Sequence, residues 1–164
     1  SGIESVTQQM AKVSVSAPPP ARTTVAAAPS TPATSFDFVD YISGGCQLNT
    51  MVAIDFTGSN GDPRKPGTLH YLDPVGRNDY EKAISAVLSI LAKYDSDQKF
   101  PLYGFGAKYN GVVQHCFQCG GAPEHYGVAG VLEAYRSVFK SGLTMSAPTV
   151  VTDVIRTAAQ HAEM

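Results

Sequence analysis

The segment that most limits how this chain can fold is Met51-Val52-Ala53-Ile54-Asp55-Phe56, a short continuous apolar run with one acid near its end. Apolarity that does not alternate marks a strand buried on both faces, the habit of parallel sheets covered by helices above and below. The run passes directly into Thr57-Gly58-Ser59-Asn60-Gly61-Asp62-Pro63, a dense turn signal. Asp55, Thr57 and Ser59 therefore fall at the C-terminal end of a central strand, where open α/β sheets receive ligands.

The pattern around this strand is consistent with such a sheet. Asn78 followed three residues later by Glu81 has the form of a capping box. Behind it Tyr80, Ala83, Ile84, Val87, Leu88, Leu91 and Tyr94 recur at helical spacing and predict an amphipathic helix over 79–94. Residues 100–106 read as a second strand, with Pro101 near its start, where proline is tolerated. Val128, Val131, Leu132, Tyr135, Val138 and Phe139 form a second helical stripe. Val151, Val154, Ile155, Ala158 and Ala159 form a third within 149–164. Strand, helix, strand, helix, loop, helix is the grammar of a doubly wound α/β fold with a mostly parallel sheet, incomplete because the strands are too few to finish one.

Composition divides the chain in two. Residues 1–35 carry three charges, Glu4, Lys12 and Arg22, and residues 36–164 carry the other 23. From Ala11 to Ser35 all but Lys12 and Arg22 are Ala, Pro, Ser, Thr or Val, which offer little area to bury against the entropy of ordering. An extended linker is the expectation for 11–35; a polyproline ligand is the alternative, but no PxxP stands close to an aromatic or basic anchor. Order is expected from Phe36, where Phe36, Phe38, Val39, Tyr41 and Ile42 cluster ahead of Gly44-Gly45. A net charge of −2 supplies no basic field, which argues against a nucleic-acid partner. No apolar stretch is long enough to span a bilayer, and no basic segment precedes an apolar one as in a secretory signal. Three cysteines, Cys46, Cys116 and Cys119, fit a reducing compartment better than a disulfide framework. A chain that starts at Ser1 and stops at Met164 within a helical pattern is expected to be a piece of a longer one.

Asp55, Thr57 and Ser59 place one carboxylate and two hydroxyls at alternate positions, which share a face on a strand and can converge where the strand turns. Such a hard oxygen set suits Mg²⁺ or Mn²⁺. Because the hydroxyls are neutral, the ion would keep positive charge and welcome an acidic group from a partner. On spacing alone the plainer reading, that Asp55 and Ser59 cap the following loop or helix, is favoured.

The surrounding sequence changes that weighting. Residues 55–63 together with Leu69-His70-Tyr71 resemble the von Willebrand factor A-type domain of the copine family. The lead-in Phe38-Val39-Asp40-Tyr41-Ile42-Ser43-Gly44-Gly45-Cys46-Gln47-Leu48 is similar to the family's as well. So are Tyr94-Asp95-Ser96-Asp97, Phe100-Pro101, Gly104-Phe105-Gly106-Ala107, the segment 130–136 and Ala147-Pro148-Thr149. A plant ubiquitin-ligase group with a copine-like domain typically has Glu and Trp where this chain has Gly61 and Asp62, so copine proper is favoured.

The resemblance implies residues 1–10 as the possible end of a preceding C2 domain and 36–164 as the N-terminal part of the A-type domain. It implies a metal-ion-dependent adhesion site of Asp55, Thr57, Ser59 and Thr149 holding Mg²⁺ or Mn²⁺. The family's third-loop aspartate is expected beyond Met164; Asp153, followed by Val154 in a helical stripe, is not assigned that role. The implied work is non-catalytic binding of a protein partner through an acidic side chain. Ca²⁺ and membrane phospholipid would be engaged only by C2 domains outside this sequence, in a cytoplasmic protein recruited peripherally to membranes for signalling or trafficking. The alternative is the substrate-binding domain of a copine-like RING ubiquitin ligase. The long linker and the Cys116–His125 region depart from the family's pattern.

Other constellations are weaker. His115, Cys116, Cys119 and His125 have chelating side chains, but one CxxC without a second pair favours incidental thiols over zinc. Gly120-Gly121 argues against the helix a thioredoxin-like motif would open. Ser59 and His70 lack the Gly-x-Ser-x-Gly elbow of a nucleophile and base. Gly104-Phe105-Gly106 lacks the rest of a phosphate loop. Asp95-Ser96-Asp97 reads as a solvated turn, and Cys46 as a small buried residue.

Overall fold

The computed structural model describes residues 37–45, 48–109 and 111–162. The expected C2-domain end, the 11–35 linker, Phe36 and Cys46 lie outside the described residues. The elements run α1 (Phe38–Ser43), β1 (Val52–Asp55), a 3-10 turn (Gly58–Asn60), α2 (Asp79–Leu91), β2 (Lys99–Phe100) and β3 (Leu102–Phe105). They continue with β4 (Ala107–Tyr109), β5 (Val112–Gln114), β6 (Phe117–Gln118), β7 (His125–Tyr126), α3 (Gly127–Val138), β8 (Thr144–Met145) and α4 (Thr152–Ala162). The architecture is mixed α/β.

β1 pairs in parallel with β3, from Val52 opposite Leu102 to Asp55 opposite Phe105. β6 covers the other side of β3 antiparallel, so the order is β1-β3-β6. Two further small sheets, β2-β7 and β5-β4-β8, are antiparallel. Among the described residues the β1–β3 ladder is parallel and the other four ladders are antiparallel.

The expected second strand over 100–106 divides at Pro101. With no N–H to donate, Pro101 leaves a break between β2 and β3, while its carbonyl accepts the Val52 N–H at 2.9 Å. The helix expected over 79–94 ends at Leu91, and the one expected over 149–164 runs from Thr152 to Ala162. The apolar cluster at 38–42 is helix α1, none of whose residues is buried; Asp37 and Asp40 cap it reciprocally at 2.9 and 3.0 Å.

The core lies where β1 and β3 meet α2 and α3. Tyr135, Phe56, Phe100, Leu88 and Leu102 are its largest fully buried apolar side chains. Phe56 sits within aromatic contact of Phe117, Tyr135 and Phe139, at centroid separations of 5.8, 6.3 and 5.6 Å. Asn78 caps α2 by accepting the Glu81 N–H at 2.9 Å, and Glu81 accepts the Asn78 N–H at 3.0 Å, the box foreseen in the sequence. Glu81 also binds Arg136 through Nε and, at 3.1 Å, through Nη2, which clamps the start of α2 onto α3.

Candidate functional site

β1 ends at Asp55, and the chain turns at once. Asp55 Oδ1 accepts the Thr57 N–H at 2.7 Å, which fixes the first step of the turn. Among the described residues no donor reaches Oδ2. The Asp55 contact with the Thr57 N–H is the kind of loop-capping bond the plainer reading gives Asp55, whereas Thr57, buried at the start of the 3-10 turn, makes no side-chain cap. Its Oγ1 stands 3.2 Å from Ser59 Oγ. Asn60 Nδ2 donates to the carbonyls of Asp55 and Thr57, at 3.2 and 3.0 Å, and closes the loop on itself.

A neighbouring segment locks this loop in place. Thr57 bridges Ser146 in parallel, and Gly58 N–H donates to the Ser146 carbonyl at 2.6 Å. Ser146 N–H donates in turn to the Gly106 carbonyl at 3.0 Å. Gly106 has φ +75°, and a Cβ there would lie 2.3 Å from Thr57 Cγ2, so only glycine allows β3 to end this close to the loop. Thr149 lies three residues past Ser146, exposed, in the stretch that leads to α4. Asp55, Thr57 and Ser59 therefore share one loop, and Thr149 sits on the loop beside it. Asp153 lies in α4 and pairs with Arg156 at 2.9 Å.

Beneath the loop is a buried polar chain with no counterpart in the sequence reading. His70, fully buried, donates from Nε2 to the Asp55 carbonyl at 2.8 Å. Its Nδ1 accepts from the Tyr135 hydroxyl at 2.7 Å, and that hydroxyl accepts from Asn78 Nδ2 at 3.1 Å. Burial pushes the His70 pKa below its usual value, outweighing the contact with Asp55, and pushes the Tyr135 phenol up. The His70 ring stacks on Tyr80, 4.0 Å away, and on Phe56, 5.2 Å away, both nearly parallel to it. The Tyr80 hydroxyl, its pKa raised to about 12 mainly by burial, reaches the Asp55 carbonyl at 3.2 Å and Asn60 Oδ1 at 3.0 Å. Both nitrogens of His70 are engaged, which removes it as a base for Ser59.

The remaining candidates are dispersed. Cys119 is fully buried, with its thiol pushed up to about 12 by desolvation and the nearby Cys116. Cys116 Sγ is 3.4 Å from Thr157 Oγ1, and His125 Nε2 donates to the Cys119 carbonyl at 2.9 Å. Among the described residues no three His, Cys, Asp or Glu side chains form a metal-binding group. Asp95, expected in a solvated turn, is buried and accepts the Gln98 N–H at 3.1 Å. Burial and the nearby Asp97 raise its pKa.

Beside the Asp55 loop opens a groove of about 520 Å³, whose lining includes Gly58, Leu72, Phe139, Leu143 and Met145. Asp62 and Arg64 also line it; their ion pair holds the Asp62 carboxyl at about 2.

The copine family model matches residues 68–164. Copine-B of Dictyostelium discoideum is 47% identical over 123 residues, covering 75% of this chain and 23% of that protein. Protein BONZAI 1 of Arabidopsis thaliana is 44% identical over 130 residues, covering 76% of this chain and 22% of that protein. Copine-E of Dictyostelium discoideum is 45% identical over 122 residues, covering 74% and 21%. The chain thus spans less than a quarter of the length of these curated relatives. Identity at this level across three quarters of the sequence, with a family match running from residue 68 to its last residue, establishes that the chain belongs to the copine family.

Proposed function

We propose that residues 36–164 are the N-terminal part of a von Willebrand factor A-type domain, doubly wound about a mostly parallel sheet, that works as a non-catalytic, divalent-metal-dependent protein-interaction module. The observation that carries this reading is the pair of hydroxyls, Thr57 Oγ1 and Ser59 Oγ, 3.2 Å apart just past Asp55 at the C-terminal end of β1, on a loop held by Asn60 and Ser146. The donors are all oxygen, with one charge among them, which fits Mg²⁺ or Mn²⁺ and not a soft metal. Asp55 would contribute the free Oδ2, with Thr57, Ser59 and Thr149 supplying hydroxyls. When bound, the ion would supply an open, electropositive position for a partner's carboxylate.

The chain's own residues set the terms of that contact. Asn60 and Gly106 keep the loop in one conformation, so little ordering entropy opposes binding. The adjacent groove offers Leu72, Phe139, Leu143 and Met145 to the apolar neighbours of the acidic residue. In the intact protein this contact would select the cargo, while C2 domains would bring it to phospholipid in response to Ca²⁺, from a cytoplasmic pool, in membrane-associated signalling or trafficking.

Water-proton relaxation in the presence of Mn²⁺ tests the open position. Bound Mn²⁺ should enhance relaxation strongly, and millimolar acetate should reduce the enhancement by displacing a water. Enhancement that acetate leaves unchanged contradicts the carboxylate-accepting position.

A further inference from the structure

The buried chain Asn78–Tyr135–His70 has a direction. Asn78 Nδ2–H donates to the Tyr135 oxygen, Tyr135 O–H donates to His70 Nδ1, and His70 Nε2–H donates to the Asp55 carbonyl. A carbonyl only accepts, so the imidazole proton must sit on Nε2, and every donor then has its acceptor with a neutral ring. A protonated ring would point Nδ1–H at a hydroxyl already receiving Asn78, leaving the phenol proton without its acceptor.

Three groups converge on the one Asp55 carbonyl: His70 at 2.8 Å, Tyr80 at 3.2 Å and Asn60 at 3.2 Å. That carbonyl belongs to Asp55, the one carboxylate among the candidate ligands Asp55, Thr57, Ser59 and Thr149. Fixing its plane fixes the backbone from which the carboxylate projects. The far end of the chain is Asn78, the cap of α2, which Glu81 and Arg136 tie to α3. Packing alone does not call for this arrangement, since apolar side chains of similar shape would fill the same space without polar groups to satisfy.

We infer that His70 and Tyr135 are positioning residues that orient Asp55 for the ion and couple ion binding to the α2–α3 junction. This rests on the metal reading above. By reciprocity, an ion that draws on Asp55 must perturb the His70 hydrogen bond, and loss of that bond must weaken the ion. Partners that orient a metal ligand commonly contribute about tenfold or more to affinity.

The test uses the 164-residue chain labelled with ¹⁵N at histidine. The His70 Nε2–H resonance should appear as a single, slowly exchanging tautomer and should shift with Mg²⁺ in step with occupancy measured by calorimetry. Tyr135→Phe keeps the ring and removes the hydroxyl; it should weaken Mg²⁺ about tenfold. Val138→Ala, a buried change on the same helix outside the chain of hydrogen bonds, should lower stability and leave affinity within twofold. Mg²⁺ that binds without moving the His70 resonance, or binds Tyr135→Phe as tightly as wild type, overturns the positioning role alone. No Mg²⁺ binding to wild type overturns the metal reading and this inference with it.

Discussion

At the scale of single residues, Gly106 and Gly111 make a controlled comparison. Both have positive φ, at +75° and +80°, so alanine at either is strained by about 1–2 kcal/mol. At Gly111 nothing lies near the added Cβ, whereas at Gly106 it meets the Thr57 backbone nitrogen at 3.1 Å as well as the methyl group. Gly106→Ala is therefore expected to cost about 1–3 kcal/mol more than Gly111→Ala in urea unfolding, because the rigid loop must shift. Equal costs would show that β3 does not brace the loop. This bracing could not be read beforehand, since Gly106 and Thr57 are 49 positions apart in sequence. That Asp55, Thr57 and Ser59 share one loop was legible because their spacing is local and ends an apolar run, while their reading as ligands came from the family resemblance. His70, Tyr135 and Asn78 were not legible as a unit, because the partners lie 57 and 65 positions apart and each looks locally like a core or cap residue.

At the scale of elements, a half-buried ion pair between Glu81 and Arg136 adds to the packing that joins α2 to α3. Burial works against the Glu81 charge, but Arg136 and the Asn78 N–H outweigh it and hold the carboxyl below the usual range. A carboxyl depressed in the folded state adds stability above its unfolded pKa of about 4.3, and that contribution is lost as pH falls through the lower folded value. Arg136→Met leaves a buried carboxylate without its partner and is expected to cost about 2–3 kcal/mol at pH 7, less than a fully buried pair because Arg136 is half exposed. The cost should narrow below about pH 4, where Glu81 can protonate; a pH-independent cost would assign the effect to packing of the arginine stem. The long helices α2, α3 and α4 were legible from apolar periodicity that spans three turns or more. The short strands β4 to β8 were not, because two or three residues carry no period. Helix α1 was also hidden, since its cap pairs Asp37 with Asp40 where a Glu or Gln is the usual signal.

At the scale of the molecule, the described residues leave apolar surface facing outward. Val87 and Ile90 on α2 are 54% and 59% exposed, Ile155 on α4 is 63% exposed, and β1 pairs on one side only. A one-sided strand beside apolar helix faces invites association. The chain is expected to self-associate at micromolar concentration in sedimentation velocity, and Val87→Lys with Ile90→Glu is expected to shift it toward monomer. A wild type that stays monomeric at high concentration would contradict this. Among the described residues no helix is long and apolar enough to cross a membrane. The central claim, that the oxygens ending β1 hold a hard divalent cation, is tested most directly by counting bound Mn²⁺ from its free-ion electron paramagnetic resonance signal. One saturable site should appear in the wild-type chain and weaken at least tenfold in Asp55→Ala; equal binding by the two proteins, or none by the wild type, would contradict it.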